Sequence, residues 1–82
     1  MTYSARVNIT LRAGIADPQG HTIERALPAL GYEGVKNVRV GKLIELEVEA
    51  ENPEEARSSV REMCERLLAN PVIEAYEVEV GE

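Results

Sequence analysis

Phenylalanine and tryptophan are missing from these 82 residues, and cysteine and histidine occur once each. Three tyrosines are the whole aromatic content, so the core must be aliphatic. A single cysteine excludes an internal disulfide. Nowhere do 18 uncharged apolar residues run together, which excludes a membrane-spanning helix. Positive charge is scarce: nine Lys and Arg stand against fifteen Asp and Glu, a formal net charge of −6. That balance opposes a polyphosphate backbone, no basic cluster offsets it locally, and nucleic acid is not an expected partner. Met1 leads directly into a strand-like pattern without an apolar signal segment, so the expected location is cytoplasmic.

What is present suits one domain, read here as residues 1–82. A chain this short buries only roughly 60% of the surface its unfolded form exposes, and one core of this size yields about 3–5 kcal/mol. Oligomerisation is a reasonable source of further stability.

Apolar residues alternate from Tyr3 through Ala5, Val7 and Ile9 to Leu11, the pattern of a strand with one wet face. Asp17-Pro18 then supplies an N-cap and an N1 proline for a helix over about 18–30, ended by Gly31, with Pro28 expected to kink or shorten its last turn. Val35–Val40 and Ile44–Ala50 read as two strands joined by a three-residue turn at Gly41-Lys42-Leu43, pairing Val40 with Ile44 and Val38 with Leu46. This register sets Arg39 opposite Glu45 and Leu43 at an exposed tip. Asn52-Pro53-Glu54-Glu55 starts a second helix that runs to Leu68 or Ala69, its apolar stripe formed by Ala56, Val60, Met63, Cys64, Leu67 and Leu68. Val72–Val80 is the last strand.

The order βαββαβ predicts an α+β two-layer sandwich of ferredoxin-like order, an antiparallel sheet with both helices on one face. In that order the first strand lies centrally, with Arg6 and Arg12 between the glutamate rows Glu45/Glu47/Glu49 and Glu77/Glu79.

Those glutamates are the densest acidic feature, but strict alternation on an exposed strand face reads as a solvated, arginine-paired surface, and no metal site is predicted. Cys64 lies on an apolar helix stripe and reads as core; His21, in the first turn of a helix, reads as surface. Neither has a partner in a nucleophilic motif, so no catalytic residue is assigned. Gly14 and Gly20 flank a loop entering a helix, yet neither a P-loop nor a GxGxxG pattern is present, and the loop reads mainly as a tight turn capped by Asp17.

Taken together, Asp17-Pro18-Gln19-Gly20, Glu24-Arg25-Ala26-Leu27 through Leu30-Gly31-Tyr32, Val38-Arg39-Val40-Gly41-Lys42 and Met63-Cys64-Glu65-Arg66-Leu67-Leu68-Ala69-Asn70-Pro71-Val72-Ile73 resemble the PurS family. These are small subunits of bacterial and archaeal phosphoribosylformylglycinamidine synthase, and the likeness covers residues 3–80 without large gaps. Pro28 and the Glu33-Gly34 loop match no family role. The resemblance implies a homodimer or higher homo-oligomer that bridges a glutaminase subunit (PurQ type) and a large synthetase subunit (PurL type). It also implies assistance to ammonia transfer, with no cofactor on this chain and ATP and Mg used by the synthetase. By location, Asp17, Gln19, Gly20, Arg39, Lys42, Leu43, Asn70 and Pro71 are the candidate docking residues. Two rival readings share the topology. One is an ACT-like homodimeric module that binds an amino acid. The other, a small acyl-phosphate hydrolase, requires an arginine in the loop after the first strand, and residues 13–20 contain none.

Overall fold

The computed structural model describes residues 1–81. The first alternating run becomes strand β1, Thr2–Leu11, with Tyr3, Ala5, Val7 and Ile9 buried and the residues between them exposed. Strand β2, Gly41–Glu49, and strand β3, Glu74–Gly81, pair antiparallel with β1 on either side. Register follows the burial of one face. Ala5 lies between Leu46 and Val80, and Val7 between Ile44 and Val78, so apolar rows cross all three strands. On the other face Arg6 lies between Glu45 and Glu79, with its Nε 3.6 Å from Glu45 Oε2. The charge-paired face therefore holds for Arg6. Arg12 instead donates from Nε to the Pro71 carbonyl at 2.9 Å.

Helix α1, Pro18–Ala26, begins as expected: Asp17 Oδ1 accepts from the Gly20 N–H at 2.9 Å. Pro28 acts as anticipated, and the chain tightens into a 3₁₀ turn over Leu27–Leu30 that ends at Gly31 with φ 96°. Helix α2, Pro53–Met63, starts with Asn52 Oδ1 accepting from the Glu55 N–H, while Glu55 reaches back to the N–H of Glu51. Its last turn, Cys64–Leu68, widens into a π-helix closed by the bond from the Ala69 N–H to the Cys64 carbonyl. Helix α2 crosses the apolar face, packs on all three strands, and buries Ala56, Val60 and Cys64 against β1.

The α+β class, the antiparallel sheet and the two helices agree with the sequence reading. Three local expectations do not hold. Residues 35–40 form no strand, because the N–H groups of Val38 and Val40 donate to Glu24 and Asp17 rather than to a ladder, and Gly34 and Asn37 take positive φ. Gly41-Lys42-Leu43 accordingly is no turn; it opens β2 and pairs with Thr10, Ile9 and Asn8. Strand β3 also starts later than Val72, since Val72 and Ile73 belong to a turn built on Asn70. Helix α1 packs on the 3₁₀ turn behind it and makes no substantial contact with any strand. The molecule is correspondingly long, 51 × 26 × 14 Å, with a radius of gyration of 16.3 Å. A compact chain of this length has one of about 12 Å.

Candidate docking site at the end of the sheet

Most of the residues singled out in the sequence gather where β1 ends, α1 begins and β2 starts. Asp17 is the centre of that region. One carboxylate oxygen caps α1, and the other accepts from the Val40 N–H at 2.7 Å and lies 3.9 Å from Arg39 Nε. These donors hold the carboxyl below the usual carboxylate range, the Gly20 and Val40 N–H groups first and the Arg39 guanidinium after them. Arg39 therefore does not face Glu45. Its guanidinium donates to the carbonyls of Leu11, Arg12 and Ile15. It ties the return segment to the loop that leaves β1. Gly20 is required here by close approach, since a Cβ would stand 2.4 Å from the Val38 carbonyl oxygen.

Lys42 and Leu43 are adjacent in β2 and point to opposite faces of the sheet. Lys42 Nζ approaches Glu74 Oε2 at 3.9 Å, and the other oxygen of Glu74 accepts from the Asn70 N–H at 2.7 Å. Asp17, Gln19, Lys42 and Glu74 line one shallow depression of about 200 Å³, with Ile9 and Leu11 as its floor. Asn70 and Pro71 border it through Glu74 and through the Arg12 bond. Leu43, 45% exposed, lies on the glutamate face and outside this depression.

Glu74 links the two halves of the site and was not singled out from the sequence. Only its position one turn after Asn70-Pro71 offered a signal. Elsewhere, Cys64 is fully buried, and burial raises its thiol pKa, with Glu65 beside it adding in the same direction. His21 is exposed on α1. The Tyr76 hydroxyl donates to Glu65 Oε2 at 2.6 Å, which raises the phenol's pKa. Among the described residues no three His, Cys, Asp or Glu side chains come together as a metal site, and no helix is long and apolar enough to cross a membrane.

This fold and these loops have close counterparts. The profile of the family described as PurS, phosphoribosylformylglycinamidine (FGAM) synthase, matches residues 4–82. The PurS subunit of that synthase from Methanocaldococcus jannaschii is 49% identical over 78 residues, 95% of this chain and 94% of the relative. The crystal structure of M. jannaschii PurS superimposes with a TM-score of 0.87 at 46% identity, covering 98% of this chain and 96% of that one. A chain in the structure of PurLQS from Thermotoga maritima gives a TM-score of 0.88 at 45% identity and covers 98% of both chains. With the match running through α1, the Asp17 joint and the Asn70 turn alike, the chain belongs to the PurS family of phosphoribosylformylglycinamidine synthase subunits.

Proposed function

We propose that this chain is the non-catalytic small subunit of phosphoribosylformylglycinamidine synthase in purine biosynthesis. It acts in the cytoplasm as a homodimer that holds a glutaminase subunit and a synthetase subunit together. The observation that carries the reading is the full-length likeness to a chain in the PurLQS structure, in which a protein of this fold is one component of a complex. Family membership favours this reading over the amino-acid-binding alternative.

The chemistry assigns the work to the partners. The glutaminase releases ammonia; the synthetase uses ATP and Mg to activate the formylglycinamide oxygen that ammonia displaces. Ammonia loses its nucleophilicity once protonated in bulk water, so a subunit that keeps the two sites in register and limits solvent access has a physical purpose. The surface offered for this is the end of the sheet, where Gln19, Lys42, Asn70 and Pro71 present contacts while Asp17, Gly20 and Arg39 fix the loops that carry them. Leu43 offers a separate apolar contact on the glutamate face.

The test is reconstitution from separately purified glutaminase and synthetase, with and without this chain, using glutamine or ammonium as nitrogen source. Omission is expected to abolish most glutamine-dependent synthesis and to spare ammonium-dependent synthesis. Unchanged glutamine-dependent activity in its absence overturns the assignment.

A further inference from the structure

Apolar packing fixes helix α2 on the sheet, and nothing of that kind fixes helix α1. The buried apolar residues lie at positions 3–9 and 50–69, and among the described residues between 10 and 49 the buried one is Gly20. Residues 18–40 form an arm made of α1, its 3₁₀ turn and the return segment, and polar bonds are what hold it to its sheet.

The bonds that stiffen the arm differ from those that set its angle. The Asp17 bond to Gly20 is a local cap, and Glu24, accepting from the Val38 N–H, joins α1 to the return segment within the arm. Gly20 lets the two run so close that a Cβ would stand 2.4 Å from the Val38 carbonyl oxygen, which packs the arm into one piece. Asp17, accepting from Val40, closes its base. Arg39 does something else. Its Nη2 donates at 3.3 Å to the carbonyls of Arg12 and of Leu11, the last residue of β1, and its Nη1 donates to that of Ile15 at 3.4 Å. Among the described residues it is the one side chain of the arm that bonds a strand of the sheet.

Each of these bonds is long, and none holds the angle by itself. They act together because the guanidinium is a rigid plane with its N–H groups in a fixed fork, and its charge strengthens every bond to a carbonyl. The Asp17 carboxylate, 3.9 Å from Nε, keeps that plane turned toward the loop. Leverage makes the angle matter. The helix and its 3₁₀ turn run about 20 Å, so a tilt of about 10° at the joint displaces the tip by about 3.5 Å. Where reacting groups must be held in register, a misplacement of about 1 Å can cost about a hundredfold in rate.

We infer that Arg39 is a positioning residue: its guanidinium sets the angle at which the arm leaves the sheet, and through that angle the register in which the synthase subunits are held for nitrogen transfer. This rests on the subunit reading above and deepens it by naming the residue on which the geometry of the scaffold turns. A lysine cannot replace it, since one ammonium reaches one carbonyl where the fork spans three.

The experiment compares wild type with Arg39→Lys, which keeps the charge beside Asp17, and with Arg39→Ala. Nitroxide labels on Leu30→Cys in the arm and Ser58→Cys in α2 report the angle by pulsed electron paramagnetic resonance, with labelled chains diluted in unlabelled ones so that distances within one chain dominate. The wild-type distance distribution is expected to be narrow and that of both variants to broaden roughly twofold or more, while far-UV circular dichroism stays unchanged. In the complex reconstituted with glutaminase and synthetase, glutamate released per product formed is expected to be one for wild type and to rise several-fold for both variants. Loss of the fold does not produce that signature, because an unfolded chain loses association with the partners altogether. A distance distribution unchanged in Arg39→Lys and Arg39→Ala overturns the inference whatever the activity. Broadened distances with the glutamate ratio still at one overturn the positioning role. Glutamine-dependent synthesis that survives omission of the whole chain overturns the subunit reading instead, and leaves the distance result standing as a property of the joint.

Discussion

Asp17 joins three tasks in one carboxylate: it caps α1, accepts from Val40 across the arm's base, and pairs with Arg39. The sequence disclosed the first task because a cap is written within three or four residues, and Gly20 was legible for the same reason. Arg39 was not, since the carbonyls it bonds lie 24 to 28 residues away and the assumed hairpin gave it a false partner. The carboxyl's depressed pKa has a consequence for acid stability. A group whose folded pKa lies below its unfolded value, about 3.9 for Asp, adds stability above that unfolded value and loses it as pH falls through the folded one. Asp17→Asn removes the charge and turns an amide toward a donor. The variant is expected to unfold at lower denaturant than wild type at pH 7, with the gap closing below about pH 4. An equal gap at pH 7 and pH 3 means that the charge is not what stabilises the joint.

At the scale of elements, the helices and the central strand were legible because each is fixed by local signals that the tertiary structure respects: alternation in β1, cap and proline at α1 and α2, Pro28 and Gly31 at the stop. The segment 35–40 shows where such signals fail. Its alternation is genuine, but a strand is a pairing, and within one chain Glu24 and Asp17 take the N–H groups that a ladder would use. The same logic explains the late start of β3, where Asn70 organises a turn by accepting from Val72 and, through its carbonyl, from Ile73 and Glu74. Helix α2 has no substitute for its start. Among the described residues it is the helix that covers the sheet, so a loss at the cap is felt by the whole fold. Asn52→Ala is expected to cost about 1 kcal/mol by equilibrium denaturation, and Asn52→Gly only a few tenths. Equal losses for the two would show that the side chain's bond to Glu55 contributes little.

For the whole molecule, the decisive quantity is how much of the fold one chain completes alone. Length and composition already pointed to a thin aliphatic core, and the structure gives it form: among the described residues, nine buried apolar residues, one covering helix and an arm fastened away from the sheet. No sequence pattern could announce that arm, because α1 has the apolar spacing of a helix that lies on a sheet and the pattern does not say whose sheet. If assembly completes the core, stability must depend on concentration. Two chains unfolding together release about 2.1 cal/mol/K per residue, near 0.34 kcal/mol/K for the pair, and each tenfold dilution removes about 1.4 kcal/mol of dimer stability. The thermal midpoint is therefore expected to fall by about 4 °C per tenfold dilution, or about 8 °C between 100 and 1 μM. The net charge of −6 on each copy adds a second sign: moderate salt is expected to raise the midpoint by screening repulsion between protomers. A midpoint that stays constant across that dilution describes a monomer that is stable by its own core.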